Sequence, residues 1–133
     1  MRFIFCLKNH KGMKMKKIIL LLSAALSSSA FADNCENARN TYDDVYCTNK
    51  LYASADTELN QNYQALRGKL SASQKALLKK SQLVWIRERD AACTTAAGID
   101  VQCRLSTTQE RNNWLRERLR ECSAIGCKTS ALR

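Results

Sequence analysis

Four carboxylates and a run of arginines are the residues of this chain best suited to chemistry. Asp56 and Glu58, with Glu88 and Asp90 some thirty residues on, could form the acid and nucleophile of a glycan hydrolase. Glu88 is the sharpest candidate. On a helical wheel started at Leu77 it falls at about 20°, inside an apolar arc of Leu78, Val84, Trp85, Ala91 and Ala92. A carboxyl held among apolar neighbours has a raised pKa and can serve as a general acid. The competing reading is a carboxylate at the mouth of a helix pair, bridged to an arginine such as Arg111. Acids scattered among so many Arg and Lys residues are more often caps and ion partners, so no catalytic residue is assigned.

The other common machinery is thin. The single histidine, His10, precedes an expected cleavage site, and the six cysteines beyond that site are expected to be bonded. The usual bases and nucleophiles are thereby removed. Without a mature histidine or a C-x-x-C pair, no metal site and no cofactor is expected. Arg111, Arg116, Arg118 and Arg120, with Trp114 between them, make a basic face with an aromatic, a pattern that can grip phosphates. Export argues against nucleic acid and leaves anionic envelope polymers, glycans or lipid head groups, as ligands. Trp114, Arg116 and Arg120 are the candidate interface residues on that face.

The elements that must position these groups begin with a leader. Lys14, Lys16 and Lys17 precede the apolar run 18–26, a serine-rich stretch and Ala30-Phe31-Ala32. That order predicts a secretory signal peptide over residues 1–32, cut after Ala32, with Met13 or Met15 as an alternative start. The run is shorter than the roughly 20 residues a membrane span needs. Asp33 and Asn34 separate the cut from Cys35, so a soluble periplasmic or secreted product is expected rather than a lipoprotein. Of 22 basic residues six fall before position 33, whereas all 12 acids fall at position 33 or beyond, leaving a mature balance of +4. The charge is uneven. Residues 33–60 hold six acids against two bases, and residues 61–133 hold six against fourteen.

Six cysteines in a small exported chain read as a disulfide framework with 15 possible pairings. Neighbours in the chain are the preferred scheme: Cys35–Cys47, Cys93–Cys103 and Cys122–Cys127. A bridge needs Cα atoms within about 7 Å, whereas twelve residues of unbroken helix span about 18 Å. The chain must therefore fold back between Cys35 and Cys47, while Gly98 and Gly126 supply turns for the other two pairs.

Residues 33–47 read as a short pinned helix or turn. Leu51, Ala55, Leu59, Tyr63, Leu66 and Leu70 then recur at helical spacing over about twenty residues. Ser71-Ala72-Ser73-Gln74 fits a capping box opening a second helix that runs to about Ala96. So short a link makes the two helices antiparallel. Thr107-Thr108-Gln109-Glu110 reads as another capping box, opening a third helix. The expectation is an all-α domain over 33–127, a helical hairpin plus a third helix, disulfide-stapled, with 128–133 as a patternless tail. Trp85 is expected in its core.

Three segments carry a family resemblance. They are Ala55-Asp56-x-Glu58-Leu59-Asn60-x-x-Tyr63-x-x-Leu66, Gln82-x-x-Trp85-x-x-x-Arg89-Asp90-x-x-Cys93 and Thr108-x-x-Arg111-x-x-x-Leu115. Together they resemble the LprI-type lysozyme-inhibitor N-terminal domain family over about Cys35–Leu119. The resemblance implies a small exported helical domain with disulfides, a lysozyme as partner, and inhibition rather than catalysis. It also implies that the quoted motif residues identify the fold instead of marking the working surface. Glu88, where an apolar residue is expected, and the Cys122 and Cys127 pair depart from the pattern.

Overall fold

The computed structural model describes residues Cys35–Arg133. The expected signal peptide, residues 1–32, lies outside the described residues.

Three long helices form the domain. Helix α1, Thr41–Arg67, starts where the Asn40 side chain accepts a 2.9 Å hydrogen bond from the Asp43 amide. Asp43 and Asp44 then face the positive end of the helix dipole. The chain has no proline, and nothing in Thr41–Leu51 breaks the helix, so the separate N-terminal element expected from sequence is absorbed into α1. The fold-back that a Cys35–Cys47 bridge demands lies before Asn40 instead. A 3-10 turn, Cys35–Asn37, brings the two Cα atoms to 5.8 Å.

Helix α2, Ala72–Ala92, opens with a complete capping box. The Gln74 amide donates to Ser71 Oγ at 3.3 Å, and the Ser71 amide to Gln74 Oε1 at 3.0 Å. It stops four residues short of the expected Ala96, because the chain reverses in a two-rung hairpin, β1 Thr94–Thr95 against β2 Gly98–Ile99. Gly98 takes φ 121° there, a conformation open to glycine. The Cys93–Cys103 bridge closes this reversal.

Helix α3, Val101–Ala124, starts seven residues earlier than the Thr107 box suggested. Asp100 is the true cap, its carboxylate accepting from the Cys103 amide at 2.9 Å. Thr108 sits in mid-helix, fully buried. After α3, Gly126 at φ 95° turns the chain into the Cys122–Cys127 bridge. Residues 128–133 are no loose tail: a 3-10 turn, Thr129–Leu132, drives Leu132 into the core at 1% exposure.

Pairings between helices fix their directions. Ala55 meets Asn112 and Lys69 meets Cys127, so α1 and α3 run parallel. Ser81 and Gln82 meet Arg111, and Arg89 meets Thr108, so α2 runs against both. The core is Leu59, Leu66, Leu70, Leu78, Leu115 and Leu132, with Tyr63, Trp85, Trp114 and Leu119 packed on its edges. The most extensive helix pair is α1 with α3, joined where the Asn112 side chain reaches the Ala55 carbonyl. Between α1 and α2 runs a groove of about 450 Å³, lined by Leu59, Tyr63, Leu83 and Ile86 among others. Among the described residues no helix is long and apolar enough to cross a membrane.

Candidate functional site

The chemistry-bearing residues converge on α2, whose inward face differs from the one the wheel suggested. Its buried residues are Leu78, Gln82 and Arg89, centred about a quarter turn from the apolar arc. Ala91, Ala92 and Glu88 are exposed as a consequence, and Val84 and Trp85 are half-buried. An inward face carrying Gln and Arg is stable only if their polar atoms find partners. They do, through a ladder of alternating guanidinium and aromatic groups.

Arg89 is the first rung. Its Nε and Nη2 each lie 3.0 Å from Asp90 Oδ1, its Nη1 donates to Thr108 Oγ1 at 3.4 Å, and Asp56 lies 3.6 Å away. Its guanidinium carbon stands 5.1 Å from the centre of the Trp85 ring and 5.8 Å from that of Tyr52. Arg111 is the second rung, with Nε donating to Gln82 Oε1 at 2.9 Å and Nη2 to Ser81 Oγ at 3.0 Å. It lies 5.6 Å from the Trp85 ring and 3.9 Å from that of Trp114, which Arg118 also covers at 5.7 Å. Burial lowers the Arg111 pKa to about 10, and the negative charge of Glu88 partly opposes that shift. Each guanidinium thus trades hydration for charge-assisted hydrogen bonds and ring quadrupoles. The arrangement binds helices together and leaves no guanidinium edge of Arg89 for a ligand.

The remaining sequence candidates are dispersed. Glu58 bonds Arg116 between α1 and α3 and receives Asn62 Nδ2 at 3.5 Å. Asp56 and Asp90 share Arg89. Glu88 stands on the rim of a groove of about 610 Å³ between α2 and α3, near Arg111, Trp85 and Lys80. The four carboxylates therefore do not flank a common cleft. Leu59 is core, Tyr63 packs at its edge, and Asn60 is exposed beside the α1–α2 groove. The basic face of α3 is largely engaged: Arg116 pairs with Glu58, Arg118 lies over Trp114 and reaches Glu121 at 3.3 Å, and Arg120 is exposed.

Two features escaped the sequence reading. Asn112, 1% exposed, donates from Nδ2 to the Ala55 carbonyl at 3.0 Å and accepts from Asn62 at 3.2 Å, tying α3 to α1. Its place between Thr108 and Leu115 on one helical face was the available signal. The second is a run of exposed apolar side chains on α1: Tyr42 at 78%, Val45 at 53% and Tyr46 at 64%.

Comparison with known proteins follows the same residues. Residues 32–115 match the family described as Lysozyme inhibitor LprI, a span that contains α1, α2 and the ladder up to Trp114. A curated relative, the uncharacterized protein R02472 of Rhizobium meliloti (strain 1021), is 28% identical over 92 residues. That similarity covers 59% of this chain and 66% of the relative, so the chain spans just under two thirds of that protein's length. No solved structure matches the chain. With more than half of its length matched, and with the matched residues forming the stacked core of the fold, the chain belongs to the LprI lysozyme inhibitor family.

Proposed function

We propose that the protein is an exported, non-enzymatic binding protein of the bacterial envelope that inhibits a lysozyme. The observation that carries this reading is the family match across residues 32–115. Two physical features support it. Asp56, Glu58 and Asp90, three of the four candidate carboxylates, are spent on Arg89 and Arg116, and Glu88 stands apart from them. The six cysteines of the described residues are all bridged, which suits an oxidising compartment and leaves no thiolate nucleophile. The signal-like residues 14–32 agree with that compartment. An alternative, binding of anionic envelope polymers through the arginines of α3, loses force because Arg116 already answers Glu58.

The test is lysis of bacterial cell walls by hen-type lysozyme, followed as turbidity, with the purified oxidised protein added. Lysis should slow as the protein approaches and exceeds equimolarity. Unchanged lysis at several-fold molar excess refutes the reading for that class of lysozyme.

A further inference from the structure

One buried cation has no counter-ion among the described residues. The buried or half-buried arginines are Arg89, Arg104, Arg111, Arg116 and Arg118. Arg89 and Arg104 share Asp90, Arg116 meets Glu58, and Arg118 meets Glu121. Arg111, only 9% exposed, takes part in none of the ion pairs of the described residues. The bridge to Glu88 that the sequence allows is not formed, and Glu88 acts on Arg111 through its charge alone. Enclosing a guanidinium without an opposing charge is costly, and hydrogen bonds cover only part of the group. Nε and Nη2 donate to Gln82 and Ser81, whereas Nη1 makes no hydrogen bond among the described residues and is not sealed from solvent. Its N–H donors open on the groove of about 610 Å³ between α2 and α3 that Arg111 lines.

The facing helix supplies the rest of a site. Leu77, Val84 and Trp85, half-buried along one stripe of α2, form its apolar wall. Val84 and Trp85 belong to the arc that the hydrophobic pattern directs to the core, and the quarter-turn rotation of α2 leaves them against the groove instead. Lys80 and Arg133, both exposed, add positive charge at its edge, and Glu88 is the one acid among the described residues that line it. Small-ligand sites occupy roughly 300–1,000 Å³ and combine apolar walls with a few convergent polar groups, as this groove does. The free guanidinium edge suits a planar anion, and the wall suits an organic body attached to it. A phosphate monoester would bring roughly two negative charges and three acceptor oxygens past Glu88, toward a wall with few donors.

We propose that the groove between α2 and α3 binds a small organic carboxylate, its anionic end on Arg111 Nη1 beside Lys80 and its apolar body along Leu77, Val84 and Trp85. Glu88 is the ligand's rival for the same positive charge. The site stands apart from the inhibitor reading, since a protein that leaves lysis unchanged can still hold such a ligand.

The test titrates the full chain, exported and purified oxidised, with benzoate and with benzamide, a neutral molecule of nearly the same shape. Binding is read from the Trp85 indole N–H resonance. Benzoate should shift it saturably and bind at least tenfold more tightly than benzamide. Glu88→Gln should tighten benzoate binding severalfold, and Lys80→Glu should weaken it severalfold. Both side chains are exposed, so the Tm of these variants should match the parent. Arg111→Met should abolish the preference for benzoate, and where that variant fails to fold the two exposed variants decide. No saturable shift with benzoate, equal affinity for benzamide, or benzoate binding unmoved by both exposed variants overturns the proposal. Inorganic phosphate bound as tightly as benzoate also overturns it, because the groove then takes any anion. A Trp85 resonance that ignores benzoate but shifts on adding hen-type lysozyme overturns it too, and gives the groove to a protein side chain.

Discussion

Replacing Arg89 by lysine tests whether the ladder stabilises through geometry or through charge alone. Lysine keeps the positive charge near Asp56 and Asp90 but cannot span Asp90 and Thr108 together or lie flat over Trp85. Thr108 is fully buried, so its hydroxyl loses its one partner from α2 at a cost of about 1–2 kcal/mol. Loss of guanidinium stacking on Trp85 and Tyr52 adds about 1 kcal/mol. The carboxylates contribute little to the cost, because Asp56 and Asp90 are 44% and 41% exposed and water can replace the guanidinium. The expected destabilisation is therefore roughly 2–3 kcal/mol, well short of the 3–5 kcal/mol of a fully buried pair. For a domain of this size it corresponds to a fall in Tm of about 8–24 °C. Urea unfolding of the oxidised protein, followed by tryptophan fluorescence, measures it directly. A lysine variant within about 0.5 kcal/mol of the parent would refute the geometric account.

Other substitutions probe the remaining elements. Asn112→Leu should cost roughly 2–3 kcal/mol in urea unfolding, since it removes the buried bond to the Ala55 carbonyl and forces a branched side chain between α1 and α3. Leu132→Ala should cost about 2–4 kcal/mol by the same measurement, a value no loose tail could give. Trp85→Ala should cost about 2–3 kcal/mol, below the 3–5 kcal/mol of a fully enclosed indole, because one side of the ring faces the α2–α3 groove. Removing both Cys122 and Cys127 as serines should lower stability by about 2 kcal/mol, against about 3 kcal/mol for Cys35 and Cys47, following the lengths of the loops they close. Thermal scans of the two variants should rank them in that order.

Secondary structure was legible wherever a helix start carried a side-chain signal that stood alone. Ser71 and Gln74 marked α2 without ambiguity, and the leucine spacing of Leu51–Leu70 marked α1. Helix α3 was misplaced because two signals competed. The Thr107 box had the right residue types, but Asp100 capped the chain first, and a helix once nucleated runs through threonines that make tertiary bonds. The inward face of α2 was misread for a related reason. A hydrophobic wheel puts Gln82 and Arg89 only at the edge of the apolar arc, and their partners on α1 and α3, many residues away, make that edge the inward face. Arg89 and Arg111 were visible as motif residues but not as rungs, since a stack of rings and guanidinium groups has no period within any one helix. The tyrosines of α1 were invisible as a surface for the opposite reason. With Val45 they are the only sizeable apolar groups of a polar, acidic stretch, and exposure is a property of what fails to pack against them.

Gln74 ties the start of α2 to the 3-10 turn that follows α3. Its Oε1 completes the cap of α2, while its Nε2 donates to the Cys127 carbonyl at 3.2 Å and to Thr129 Oγ1 at 3.1 Å. Leu132 fills the neighbouring core position. The start of α2 is thus sealed by residues more than fifty positions further along the chain. Helices α1 and α2 can form in order of synthesis, but the hydrophobic interior stays open at one end until residues 127–132 dock. Closure of the core is therefore a long-range event, governed by the turn after α3 and not by the helical hairpin that precedes it.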